Sequence, residues 1–395
     1  MTFVIFSNQP FDQKLKTNKW QIATRLAKKG HKVIFVDPPL RIKAFKSFLK
    51  REVGISNLLG KPIKRAENLY LLKLFRPAIA FNISKTTPLL DNWFSKALAK
   101  RIKLLAGKDY ILWIYHVGFP NLLNTLNYLN KPNPPTLIYD VVDEYTEFPE
   151  YQKHKKWMSL REEWISKKAD ICFSSSRTLY NKITIWNDNC YYLPNAGAWE
   201  LFSVNPKKTP SDIKGIKKPL IGFSGALDEF KVDLGLLYDC AKFYSSYNFI
   251  LIGPQRVSAK SDFRGASLES LPNVFLIGVK DYKDLPFYFY NFDSYIIPYR
   301  LNKYTMGVFP TKLFDSLASG LPTVVTALPS YKDYKKYIYY SFNKSDFIKN
   351  IRKSIEENSQ NKIKERKKIA KENSWDKKVD NQINIINTFL KSNNA

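Results

Sequence analysis

The sequence predicts an α/β protein of two Rossmann-like domains facing a central cleft. Three observations carry this. Strand-like runs of β-branched and aromatic residues alternate with helical patterns along the chain. The opening is a β–α–Gly–β unit: "TFVIF" (2–6), a helix capped at Asn18 and running to Lys29, Gly30, then "KVIFVD" (32–37). A polar, basic, turn-rich stretch, "SVNPKKTPSDIKGIKK" (203–218), reads as a linker, and a second β/α series follows it.

The bulk numbers agree. A chain of 395 residues exceeds one compact core, and 44% hydrophobic with 25% charged residues is a globular composition. Three widely spaced cysteines (Cys172, Cys190, Cys240) form neither a disulfide framework nor a zinc site, and a reducing compartment fits them. The start, "MTFVIFSNQP", has no basic region ahead of a long apolar run, so no signal peptide is expected; no window suits a transmembrane helix. A net charge of +28 calls for anionic partners: phosphorylated substrates, anionic lipid or nucleic acid. Nucleic acid is not expected, because no recognised binding motif is present and the basic residues are spread along the chain.

In the inner stripe of the first helix stand Trp20, Ile22, Ala23, Leu26 and Ala27. The loop before it, "SNQPFDQKLKTN", is not G-x-G-x-x-G, which speaks against a nicotinamide dinucleotide. Further strands are read at 69–75, 110–116, 136–142, 169–175 and 190–194, and in the second series at 219–227, 248–254, 273–278, 293–298 and 321–325. The expected domains are 1–202, a linker 203–218, 219–373, and a C-terminal helix 374–395 packing back on the first domain.

Four stretches carry candidate chemistry. In "GVFPTKLFDSLASGLPTVV" (307–325), Pro310 suits a first helical turn, with Leu313, Phe314, Leu317 and Ala318 as the buried stripe. Lys312 at the helix start and backbone amides around Gly307, Val308 and Phe309 could hold a phosphate, and Asp315, on the face away from the apolar residues, could accept ribose hydroxyls. The bland alternative is a surface Lys312–Asp315 pair at i, i+3. In "GFSGALDEFKVD" (222–233), Gly225 and Ala226 let the backbone approach a ligand, with Lys231 near an anion; an ordinary tight turn would look the same. "LWIYHVGFP" and "IYDVVDEYTEFPE" put His116, Asp140, Asp143 and Glu144 at two strand ends, as a reactive cluster or as solvated carboxylates at a helix start. "LRIKAFKSFLKR" (40–51), with Lys43, Lys46, Lys50 and Arg51, is a basic amphipathic pattern suited to an anionic membrane surface or to covering the core.

In this order, these segments resemble GT-B fold glycosyltransferases of family 4. "FSGALDEFKVDLGLL" resembles the family's F-x-G-R-L-x-x-x-K-G-x-x-x-L-L. "GVFPTKLFDSLASGLPTVVT" resembles E-x-F-x-x-x-x-x-E-x-x-A-x-G-x-P-V-V-x-T. "ADICFSSSRTLYNKI" and "YYLPNAGAWELF" resemble the segment ahead of the interdomain linker. The branch of teichuronic-acid and other cell-surface polysaccharide enzymes is the nearest. Two positions depart from the pattern: Ala226 replaces the arginine, and Gly307 replaces the first glutamate of the pair whose second is Asp315.

The resemblance implies a GT-B enzyme moving a sugar from a nucleotide-diphospho-sugar, UDP-sugar by default, to a hydroxyl of a surface glycan or its lipid-linked precursor, with retention. It implies the donor in the second domain, where Lys231, Lys312 and the Gly307–Phe309 loop meet the diphosphate and sugar, and Asp315 meets the ribose. It implies the acceptor in the first, where Asp143 and His116 orient or deprotonate its hydroxyl with Asp140 and Glu144 alongside. No cofactor and no metal are expected, and the place expected is cytoplasmic, peripheral on the membrane's inner face. A sugar-nucleotide 2-epimerase of the same fold and a non-catalytic sugar- or nucleic-acid-binding protein are the alternatives.

Overall fold

The computed structural model describes residues 1–14, 16–38, 62–73, 88–119, 122–255 and 268–394. The chain divides into two units, Met1–Leu193 with Ile385–Ala395, and Pro194–Asn384. The stretch 203–218 therefore lies in the second unit, and the long helix Trp375–Asn394 starts in the second and ends in the first.

The first unit holds an eight-stranded sheet: β1 (Thr2–Phe6), β2 (Lys32–Val36), β3 (Ile63–Ala66), β4 (Leu69–Leu72), β5 (Ile111–Ile114), β6 (Thr136–Val141), β7 (Ile171–Ser174) and β8 (Cys190–Tyr192). The order is β3-β4-β2-β1-β5-β6-β7-β8, parallel except for the β3–β4 hairpin at one edge. The central strands are apolar almost without alternation, as strands covered on both faces must be; Phe3–Phe6, Val33–Val36 and Ile111–Ile114 are buried throughout. The edge strand β3 reads "IKRA" and exposes Lys64 and Arg65, which blunts it against further pairing.

The second unit repeats the design in six parallel strands: β9 (Leu220–Ser224), β10 (Asn248–Ile252), β11 (Val274–Gly278), β12 (Ser294–Ile297), β13 (Thr323–Thr326) and β14 (Tyr339–Ser341). Their order, β11-β10-β9-β12-β13-β14, is the dinucleotide-fold order 3-2-1-4-5-6. In each sheet the winding reverses once, between β1 and β5 in the first and between β9 and β12 in the second. Loops leaving the carboxyl ends diverge there and leave a crevice, so these two points are where each unit can receive a ligand. Among the described residues no helix is long and apolar enough to cross a membrane.

Candidate functional site

At the reversal point of the second sheet, β9 ends at Ser224, whose hydroxyl lies 2.7 Å from the Tyr295 hydroxyl on β12. Gly225 follows with φ 141°, a backbone that side-chain-bearing residues rarely adopt. A Cβ at 225 would fall 2.3 Å from Lys312 Cε and 2.7 Å from its Nζ, so glycine is what admits the lysine. A second glycine supports the first: a Cβ at Gly253 (φ 146°) would lie 1.9 Å from the Gly225 carbonyl oxygen. Lys312 Nζ donates to the hydroxyl of Tyr299, two residues beyond β12, at 2.9 Å. Two residues read from separate stretches of sequence, Gly225 and Lys312, thus meet at the carboxyl ends of the sheet.

Lys312 does not pair with Asp315. The Asp315 carboxylate is 6% exposed; Oδ1 accepts the Ala198 N–H at 2.9 Å and Oδ2 the Tyr282 hydroxyl at 3.0 Å. The expectation that Asp315 sits on an open helix face is corrected here. The helix Lys312–Ala318 is covered on that side by the segment 195–202, which comes close because residue 197 is glycine; a Cβ there would meet Phe314 Cβ at 2.6 Å. Burial raises the Asp315 pKa to about 7, against the lowering by its two hydrogen bonds and by the nearby Lys312 charge.

The expected phosphate-binding amides are also corrected. Residues Lys303–Met306 form a short helix whose last turn takes the Gly307 N–H on Tyr304 O (3.0 Å) and the Val308 N–H on Thr305 O (3.2 Å). Phe309 is fully buried, and its carbonyl accepts from Asn195 at 2.8 Å. The 303–306 turn had a legible signal, the capping pair Asn302 and Thr305 in "NKYT". Ala226 is half-buried, and the next N–H, of Leu227, donates to Pro254 O at 3.0 Å. Lys231 places its Nζ 5.0 Å from the Tyr304 ring centre, and its carbonyl accepts the Arg300 N–H at 2.8 Å.

In the first unit, His116 follows β5, next to that sheet's reversal point. Its ring is 4% exposed and lies edge-on to Tyr145 at 4.3 Å and near Tyr151 at 5.3 Å. Nδ1 accepts the Gly118 N–H at 2.8 Å, which fixes the neutral ring with its proton on Nε2. Burial, then the charges of Lys19 and Arg161, lower its pKa to about 3. Of the two expectations for His116, deprotonating an acceptor is set aside and orienting it is left: the remaining nitrogen, Nε2, is buried without a hydrogen-bond partner and carries the proton.

Asp143 stands beside Tyr145, whose phenol is held protonated by burial first and by the Asp143 charge second. Lys19, 2% exposed, brings Nζ to 3.3 Å from the Tyr145 hydroxyl and 3.5 Å from Gln9 Oε1. Lys19 and Tyr145 escaped the sequence reading because they are 126 residues apart and join only in the fold.

The two remaining carboxylates fall elsewhere. Asp140, the next-to-last residue of β6, is at the strand's carboxyl end as read, but it is 1% exposed and accepts the Trp113 indole N–H at 3.2 Å, as a buried core group. Glu144 accepts from the Thr146 hydroxyl at 2.5 Å and from Lys182 at 2.7 Å, and Lys182 also pairs with Glu162 at 2.6 Å. Burial opposes the Lys182 charge, but Glu162 and Glu144 outweigh it and raise the pKa. This ion cluster ties the helix Lys155–Lys168 to the helix Arg177–Ile183 through Glu162 and Lys182. Lys43, Lys46, Lys50 and Arg51 lie outside the described residues.

No model of a known protein family matches the chain. A curated protein of Bacillus subtilis (strain 168), described as a proposed teichuronic acid biosynthesis glycosyltransferase, TuaH, is 29% identical over 375 residues, covering 92% of this chain and 91% of that protein. Among solved structures, sucrose-phosphate synthase from Thermosynechococcus elongatus superposes with a TM-score of 0.70 at 11% identity, covering 99% of each chain. Anabaena Alr3699/HepE, in complex with UDP and glucose, gives 0.65 at 12% identity over 98% of this chain and 99% of that one. A point mutant of TarM from S. aureus, in complex with UDP and glycan ligands, gives 0.62 at 13% identity over 98% and 99%. The chain has the GT-B fold, and its resemblance to a glycosyltransferase of teichuronic acid biosynthesis extends over nearly its whole length.

Proposed function

We propose that the chain is a glycosyltransferase moving a sugar from a nucleotide-diphospho-sugar, UDP-sugar favoured, to a hydroxyl of a cell-surface glycan or its lipid-linked precursor, with retention. The observation that carries the reading is the seating of Lys312 against Gly225 and Tyr299 at the reversal point of the second sheet. A cation held there by a phenol hydroxyl, beside a backbone stripped of side chain, suits a diphosphate. The similar curated protein and the solved neighbours holding UDP support the same chemistry.

In this reading the second unit binds the donor. Lys312 neutralises the departing diphosphate, with Lys231 as a further cation; charge-assisted hydrogen bonds of this kind contribute about 1.5–3 kcal/mol each. Because the Gly307 and Val308 amides are already donating, the lysine side chains carry this role. Asp315 offers Oδ2 to a ribose hydroxyl in exchange for the Tyr282 hydroxyl. The first unit binds the acceptor: Asp143 orients or deprotonates its hydroxyl, and His116 donates through Nε2–H to a sugar oxygen. No metal is assigned a role. The place proposed is the cytoplasmic face of the membrane.

A thermal-shift screen across UDP-, GDP-, ADP- and CMP-sugars tests the donor class. A shift with one base only, lost in Lys312→Gln, is expected; no shift with any of them would sink the proposal. Turnover of the donor without any acceptor would point to an epimerase.

A further inference from the structure

We infer that the outward face of the helix Pro88–Ala106 is a docking surface for an anionic lipid bilayer. The helix turns Ser95, Leu98, Ala99, Ile102 and Ala106 into the core. Its other side carries Trp93 at 69% and Leu104 at 77% exposure, with exposed Lys96 and Lys100 between them. Positions 93, 96, 100 and 104 follow helical spacing, so these four side chains form one stripe. Trp93 and Leu104 are about 16 Å apart along the axis, the separation of two anchors on a helix lying flat on a surface.

The charge is one-sided. The helix has Lys96, Lys100, Arg101 and Lys103 against one acid, Asp91, in its first turn. The neighbouring helix Leu122–Leu129, tied on by Asn124–Asn92 (3.4 Å), extends the face with Tyr128, 37% exposed, and exposed Lys131, without an acid. An indole at headgroup depth, flanked by lysines whose stems lie on apolar surface while their ammonium groups meet lipid phosphates, is what a bilayer interface accommodates. A second copy of the chain would set two basic faces against each other. The inference draws on the proposed function only in that a lipid-linked acceptor gives the docking a purpose; it is tested without any sugar donor.

The full chain is sedimented with vesicles of phosphatidylcholine alone and of phosphatidylcholine with phosphatidylglycerol. Preference for the anionic vesicles is expected, falling about thirtyfold in Lys96→Gln/Lys100→Gln and about tenfold or more in Trp93→Ala/Leu104→Ala. These side chains are exposed, so melting temperatures should hold. In parallel, brominated lipid should quench a fluorescence component that Trp93→Phe removes. Equal binding to both vesicle types, or none, overturns the inference. So does wild-type binding by both double variants, or loss only when Lys43, Lys46, Lys50 and Arg51 become Gln. Tighter binding to a single-stranded oligonucleotide, lost in the same two variants, would make nucleic acid the occupant and overturn it as well. A retained UDP-sugar thermal shift in all variants would separate failure here from failure of the donor reading.

Discussion

Replacing Asp315 with Asn should change how stability depends on pH. The Asp315 carboxyl is buried, with a pKa raised to about 7 from an ordinary 3.8. A raised folded pKa means the folded state holds the proton more tightly than the unfolded one. Its contribution is fully present below the unfolded value and is lost as pH rises through the folded value. Ionisation of the buried group then works against the fold by about 4 kcal/mol above pH 8, more than half of it lost between pH 5 and pH 8. Asn keeps an acceptor for the Ala198 N–H and offers the Tyr282 oxygen a donor. Asp315→Asn should therefore be close to wild type at pH 5 and more stable at pH 8, by about 5–10 °C in the transition of a domain this size. Thermal unfolding at half-unit pH steps from 4 to 9 measures the difference. Parallel profiles for the two proteins would refute the reasoning, as would a variant that loses ground with rising pH.

Other outcomes follow from the same geometry. Gly225→Ala, strained at φ 141° and placing a Cβ 2.3 Å from Lys312 Cε, should lower the melting temperature and weaken nucleotide-sugar binding together. His116→Gln should keep most transfer activity by keeping a donor where Nε2–H stands, while His116→Ala should lose it; the wild-type pH–rate profile should show no histidine inflection near 6.5, because the pKa of His116 is lowered to about 3. Asp143→Asn should cut the transfer rate by a factor on the order of 100 or more while leaving donor affinity unchanged. Transfer measured with and without EDTA should be equal if the proposed metal-free reaction is right.

Much of the fold is legible because its signals are local. Short continuous apolar runs rich in β-branched and aromatic residues, such as "VIFV" and "ILWI", read as strands covered on both faces, and Gly30 marks a helix end. The site was half legible. Gly225 and Lys312 stand out one at a time, from an unusual glycine and an oddly placed cation, but nothing local says that they touch. Asp315 shows why. Helical spacing reveals which side of Lys312–Ala318 is apolar, yet it says nothing of the 195–202 segment that covers the other side. Tyr282 and Tyr299 act through hydroxyls whose partners lie 33 and 13 residues along the chain, beyond any helix or strand period. His116 stands out by type, but which of its two expected roles it could take is not legible, since its tautomer depends on the Gly118 amide, which folds back under the ring.

The central claim is that Lys312 holds a donor diphosphate against Gly225. Calorimetric titration of UDP and UMP into the wild type and Lys312→Gln tests it most directly. The account predicts that the variant binds UDP about 10–100-fold more weakly while its UMP affinity moves far less, since a single phosphate leaves the lysine little to grip. Equal UDP affinity in the two proteins would contradict it.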